Sequence, residues 1–97
     1  MLVLVTYDVS VKTTAGQRRL RNIARICQNY GVRVQNSVFE CEVEPAQFVN
    51  LRASLISAYD SQEDSLRFYF LGKKGKKKIE HLGAKSVKDP LRDALIL

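Results

Sequence analysis

The first nine residues, Met1 to Val9, constrain the fold more than any other stretch of this chain. As an extended strand they put Val3, Val5 and Tyr7 on one face and Leu2, Leu4 and Thr6 on the other. Both faces are largely apolar, the pattern of a strand covered on both sides, so a central strand is implied. A chain of 97 residues has room for one such core, so residues 1–97 read as a single domain.

Periodicity supplies the other elements. Thr14 and Gln17 have the spacing of a capping box, a hydroxyl followed three residues later by an amide, which predicts a helix start. Leu20, Ile23, Ala24, Cys27 and Tyr30 then form the buried stripe of an amphipathic helix, and Gly31 suits a left-handed residue that ends it. Arg33 to Val43 reads as extended chain with a turn or bulge near Asn36-Ser37. Pro45 fits the first turn of a second helix, whose stripe is Phe48, Leu51, Leu55 and Tyr59. Ser61 to Asp64 reads as a polar loop. Leu66, Phe68 and Phe70 alternate with Arg67, Tyr69 and Leu71 as a strand, and Lys78 to Leu82 forms a short edge strand. The order β-α-β-β-α-β predicts a ferredoxin-like α+β sandwich, with helices on one sheet face. Tyr69 and Leu71 point away from that core face and the tail Ala94 to Leu97 is apolar, so a partner is expected there. That partner is a second copy, giving a two-fold homodimer in which residues of about 86–97 take part.

Composition narrows the class. An apolar share of 45% and a charged share of 27% are those of a soluble globule rather than a disordered chain. No apolar run approaches the ~18 residues of a membrane span, so no membrane partner is expected. The apolar start lacks a basic leader and a small-residue cleavage site, and two cysteines are too few for a secreted disulfide framework; both point to the cytoplasm. The net charge of +6 is unevenly spread: residues 1–40 carry six positive and two negative charges, and 67–88 carry eight positive and one negative. A surface polarised in this way attracts a polyanion, of which nucleic acid is the commonest.

Two groups of residues could carry chemistry. Asp8 ends the apolar first strand, where a carboxylate is either a turn-former or a ligand held on a rigid element. If two Asp8 side chains met across a dimer axis, their repulsion would call for a proton or a cation. Mg²⁺ accepts few carboxylates and keeps several waters, so one aspartate per subunit would bind it weakly. Arg18, Arg21 and Arg25 recur on the first helix, with Arg19 beside them and Lys12 in the preceding loop. No acidic residue interrupts residues 17–26, unlike an ordinary solvated helix face with alternating signs. A row of guanidinium groups matches phosphate oxygens and is insensitive to base sequence. The lysine-rich turn Lys73 to Lys78 is a second phosphate contact or a solvated loop. His81 stands alone, Cys27 lies on the buried stripe, and Cys41 has no neighbour at zinc-ligand spacing. Ser37 lacks a nucleophile-elbow setting and no P-loop is present, which disfavours acyl transfer and P-loop nucleotide binding.

With these residues in view, the chain resembles a known family. Val3-Leu-Val-Thr-Tyr-Asp-Val9, Arg19-Leu20-Arg21 and Tyr30-Gly31-Val-Arg33-Val-Gln35-Asn-Ser37-Val38-Phe39-Glu40-Cys41 are similar to CRISPR-associated protein 2. Asp64-Ser65-Leu66-Arg67-Phe68-Tyr69 and Glu80-His81-Leu82-Gly83-Ala84-Lys85 resemble its subtype I-C variant. The resemblance implies a ferredoxin-like homodimer whose C-terminal strand crosses to the partner's sheet. It implies a role in adaptation, the capture of foreign DNA as new spacers, with the dimer bridging the CRISPR-associated protein 1 integrase. It also implies an endonuclease using Mg²⁺, or Mn²⁺ in its place, on single-stranded RNA or duplex DNA, and puts the metal-binding and catalytic aspartate at Asp8. The alternative with a similar fold is a toxin-like endoribonuclease of the virulence-associated protein D type, against which Gln35 to Phe39 argues.

Overall fold

The computed structural model describes residues 1–72 and 77–83. In chain order the elements are β1 (Leu2–Asp8), α1 (Thr14–Gln28), β2 (Val32–Gln35), β3 (Val38–Glu42), α2 (Pro45–Ala58), β4 (Ser65–Leu71) and β5 (Lys77–Gly83). They form one sheet of order β2-β3-β1-β4-β5, in which every pairing is antiparallel. The first four strands have the ferredoxin-like arrangement and β5 extends the sheet beyond β4. The expected α+β sandwich is the fold observed.

The central place of β1 follows from its two apolar faces. Val5 lies opposite Phe39 on β3 and Phe68 on β4, and these side chains share the core face. Ile23 and Cys27 from α1, with Phe48, Leu51 and Leu55 from α2, close the core over them. Phe48 meets Phe68 and Phe70 edge-on, at centroid separations of 5.4 and 5.0 Å, which favours the arrangement beyond simple burial. Fully burying a side chain of this size stabilises the fold by about 1.5–3 kcal/mol. On the other face of the sheet, Leu4, Tyr69 and Leu71 form a smaller cluster. Tyr69 is buried there, and its hydroxyl finds no hydrogen-bond partner among the described residues.

Local expectations fared unevenly. The hairpin turn at Asn36-Ser37 is present, and a register shift between Arg33 and Gln35 supplies the irregularity. Pro45 opens α2, and the Gln47 side chain accepts from the Glu44 backbone N–H at 2.8 Å. The cap of α1, however, is Thr13 rather than Thr14: its hydroxyl accepts from Gly16 N at 3.0 Å, and Gln17 closes no box. Gly31 is not left-handed, because Asn29 ends α1 in a right-handed conformation and Gly83 alone among the described residues has positive φ. Gly31 is needed for a different reason: a side chain there would run into the Glu40 carbonyl and the Cys41 sulfur. The expected edge strand is β5, which pairs along its own β4 and is tied to α2 by Arg52–Glu80 at 2.8 Å. The tail of about 86–97 and most of the lysine-rich turn lie outside the described residues.

Candidate nucleic-acid interface

Helix α1 carries the basic face because its apolar positions recur every three or four residues and leave the others outward. Arg18, Arg21 and Arg25 are exposed and, with Asn22, line one shallow depression of about 280 Å³. Among the described residues no acid lines it. Three guanidinium charges held together in this way raise the local positive potential and favour a bound anion.

Arg19 is separated from that row. One residue along a helix is a rotation of about 100°, and it carries Arg19 to the stripe that continues into buried Ile23. There Arg19 Nε donates to Asp64 Oδ2 at 2.8 Å, and Nη2 donates to Oδ1 at 3.4 Å. The Asp64 side chain has no solvent exposure. The same carboxylate accepts from Ser10 N at 3.0 Å and from Asp60 N at 2.9 Å. One buried anion thus joins the loop after β1, the first turns of α1 and the loop before β4. Burial alone would push the Asp64 carboxyl up, but the Arg19 guanidinium and the two backbone N–H groups hold it below the usual carboxylate range. Gly16 makes the closure possible, since a side chain there would collide with the Ser10 carbonyl. Arg19 is accordingly a positioning residue that sets where the Asp8 loop meets α1.

Lys12 is exposed and lines a second depression with Ser10, Thr13, Arg19, Asp60 and Glu63, so it faces acidic neighbours and not the arginine row. Asp8 closes β1 opposite Ser65 of β4 and is half-buried. Among the described residues, no group of three or more His, Cys, Asp and Glu side chains could hold a metal ion. Among the described residues, Asp8 is a carboxylate on a rigid strand end, whereas Asp64 is committed to Arg19 and two backbone donors. That donor type suits a hard, largely hydrated divalent ion, and a second copy of the chain would double it. The thiols are poor nucleophiles: burial pushes Cys27 up to about 12 and Cys41 up to about 11. His81 accepts from Arg67 Nε at 3.1 Å.

Asp64 was the residue that the polar-loop reading passed over. A signal existed in Arg19, which stands off the Arg18-Arg21-Arg25 row and on the apolar stripe, where an arginine calls for a carboxylate. Nothing local in Ser61 to Asp64 marks which acid answers it.

The fold and this face define a small ferredoxin-like α+β protein with three exposed arginines clustered on one side of its first helix. The chain belongs to the CRISPR associated protein Cas2 family, whose model matches residues 1–79. It is 61% identical over 97 residues, covering the whole of both chains, to a CRISPR-associated endoribonuclease Cas2 of Chlorobaculum tepidum. It is 53% identical over 94 residues to a CRISPR-associated endonuclease Cas2 of Halalkalibacterium halodurans, covering 94% of this chain and 98% of that one. Among solved structures it is similar to Streptococcus pyogenes Cas2, with a TM-score of 0.70 and 57% identity over 75% of this chain and 88% of that one.

Proposed function

We propose that this protein serves CRISPR adaptation as a two-fold homodimer that holds nucleic acid along the Arg18, Arg21 and Arg25 face and presents it to the CRISPR-associated protein 1 integrase in the cytoplasm. The observation that carries this reading is the convergence of three arginines on one exposed depression with no acid among the described residues in its lining. Phosphate contacts of this kind fix position without reading sequence, which suits a platform that must accept foreign DNA of any sequence. Lys12, in the neighbouring depression beside Asp60 and Glu63, is no part of this face, and Arg19 supports the face from within through Asp64.

A slow endonuclease activity on single-stranded RNA or duplex DNA accompanies this role, and the names of the relatives from Chlorobaculum tepidum and Halalkalibacterium halodurans favour it. Asp8 from each of two copies would hold Mg²⁺, or Mn²⁺. Such an ion, when bound, polarises a phosphate oxygen and lowers the pKa of a bound water. The chain itself contributes a carboxylate fixed by the pairing of β1 with β4, and a basic face that orients the phosphodiester.

The test uses labelled duplex DNA and labelled single-stranded RNA with the wild type and Asp8→Asn, with and without Mg²⁺, reading bound and cleaved fractions together. Binding by both proteins, with Mg²⁺-dependent cleavage by the wild type alone, is expected, together with an unchanged sedimentation profile. Cleavage by Asp8→Asn at the wild-type rate would overturn the metal assignment. Failure of both proteins to bind at low salt would overturn the platform.

A further inference from the structure

A groove of about 420 Å³ runs between α1 and the turn joining β2 to β3, a size within the range of small-ligand sites. Its apolar wall is Leu20 and Ala24 of α1. Arg21 of α1, Arg33 of β2 and Asn36 and Ser37 of the turn also line it. Beneath them lies Tyr7, buried, with its hydroxyl directed to the Asn36 carbonyl at 3.4 Å and its ring stacked with Phe39 at 6.3 Å. The Arg33 guanidinium sits 5.2 Å from the centroid of that Phe39 ring, a cation–π contact that holds it at the groove. Among the described residues no carboxylate lines the groove. Arg19 and Arg52, by contrast, are each paired with an acid.

We propose that this groove is a subsite for one unpaired nucleotide, its base lodged against Leu20, Ala24 and the Arg33 plane and its phosphates on Arg21 and Arg33. The proposal rests on the nucleic-acid reading above and specifies what that reading leaves open, the strandedness of the ligand. Three features select a nucleotide. The two guanidinium groups favour an anion, the apolar wall favours a flat apolar body, and Asn36 and Ser37 offer the adaptable donors and acceptors that a base edge uses. Arg21 lines both this groove and the Arg18-Arg21-Arg25 depression, so a strand tracking the helix leads into it without a break. A base inside a duplex is stacked and paired and cannot enter, whereas a base in an overhang or a single strand can. The site would therefore sense the end of a duplex, or an unpaired run, on a face that is otherwise blind to sequence.

The experiment compares the full-length protein's affinity for a blunt DNA duplex and for the same duplex with a short single-stranded overhang, in DNA and in RNA versions. A fluorescent purine analogue in the overhang reports stacking. The wild type is expected to bind the overhang substrate about tenfold more tightly, as one base stacked on protein contributes, with quenched fluorescence. Arg33→Ala, which removes one guanidinium, and Ala24→Leu, which narrows the groove and leaves every arginine in place, should each bring the overhang-to-blunt ratio close to one and relieve the quenching. Blunt-duplex binding without any overhang preference would overturn the subsite and leave the platform standing. A preference that survives both substitutions would likewise overturn it. Absence of binding to either substrate would overturn the platform and the subsite together.

Discussion

On one side of α1, Arg19 ends 2.8 Å from a carboxylate that has no solvent exposure; on the other, Arg18, Arg21 and Arg25 surround a depression that no acid among the described residues lines. The residue type is the same and Arg18 and Arg19 are adjacent, yet their physical situations differ. Asp64 is fully desolvated and Arg19 largely so, and the pair's value lies in the carboxylate's satisfying a guanidinium and two backbone donors at once, so that removing it leaves them unpaired. The exposed row pays no such desolvation cost and stabilises nothing internally. Its charge is available to a ligand and is screened by salt. Charge counted along a sequence does not distinguish these two situations.

Breaking the pair should give the largest effect. Asp64→Ala is expected to lower the free energy of unfolding by about 3 kcal/mol, read from the midpoint of denaturant unfolding. Arg18→Ala should leave that midpoint in place, and an equal loss in both variants would abolish the distinction drawn between the two sides of α1. Breaking the exposed row should instead change binding. Three neutralised phosphates give a slope of log K against log[salt] near −2.7, and Arg18→Ala with Arg21→Ala should reduce its size by about 1.8. An unchanged slope would remove the row from the interface.

Acid sharpens the contrast further. Because the native Asp64 carboxyl lies below its unfolded value of about 3.9, its contribution is complete above that pH and is lost as the pH falls through the native value. Unfolding followed from neutral pH into that range should show a steep acid limb in the wild type and a shallower one in Asp64→Asn. Equal limbs would mean that other carboxylates govern acid unfolding. The smallest effect concerns the thiols: with Cys27 pushed up to about 12 and Cys41 up to about 11, neither should react with an alkylating reagent at neutral pH until the protein is unfolded. Labelling of native protein at the rate of a free thiol would contradict their burial.

Regular elements were legible wherever a side-chain period was enforced by burial. Val3, Val5 and Tyr7 declare β1, Phe48, Leu51 and Leu55 declare α2, and the alternation of Leu66, Phe68 and Phe70 declares β4. End signals were less legible, because adjacent threonines offer the same hydroxyl and only backbone geometry chose Thr13 as the cap. Gly31 has the sequence of a helix terminator, but packing is what requires it. The close approach of β3 that requires it involves Glu40 and Cys41, which are not its neighbours in sequence.

The candidate site divides along the same line. The amino-acid sequence by itself determined a central first strand, two helices each with a buried stripe and a basic outer face, since each follows from a repeat of a few residues. Tertiary structure alone decided that Arg19 meets Asp64, 45 residues away, that Lys12 faces Asp60 and Glu63, and that Tyr7, Arg21 and Arg33 enclose one groove. Pairing of distant charges and closure of a groove depend on how strands and helices are juxtaposed. A period along one element carries no information about the element that will pack against it.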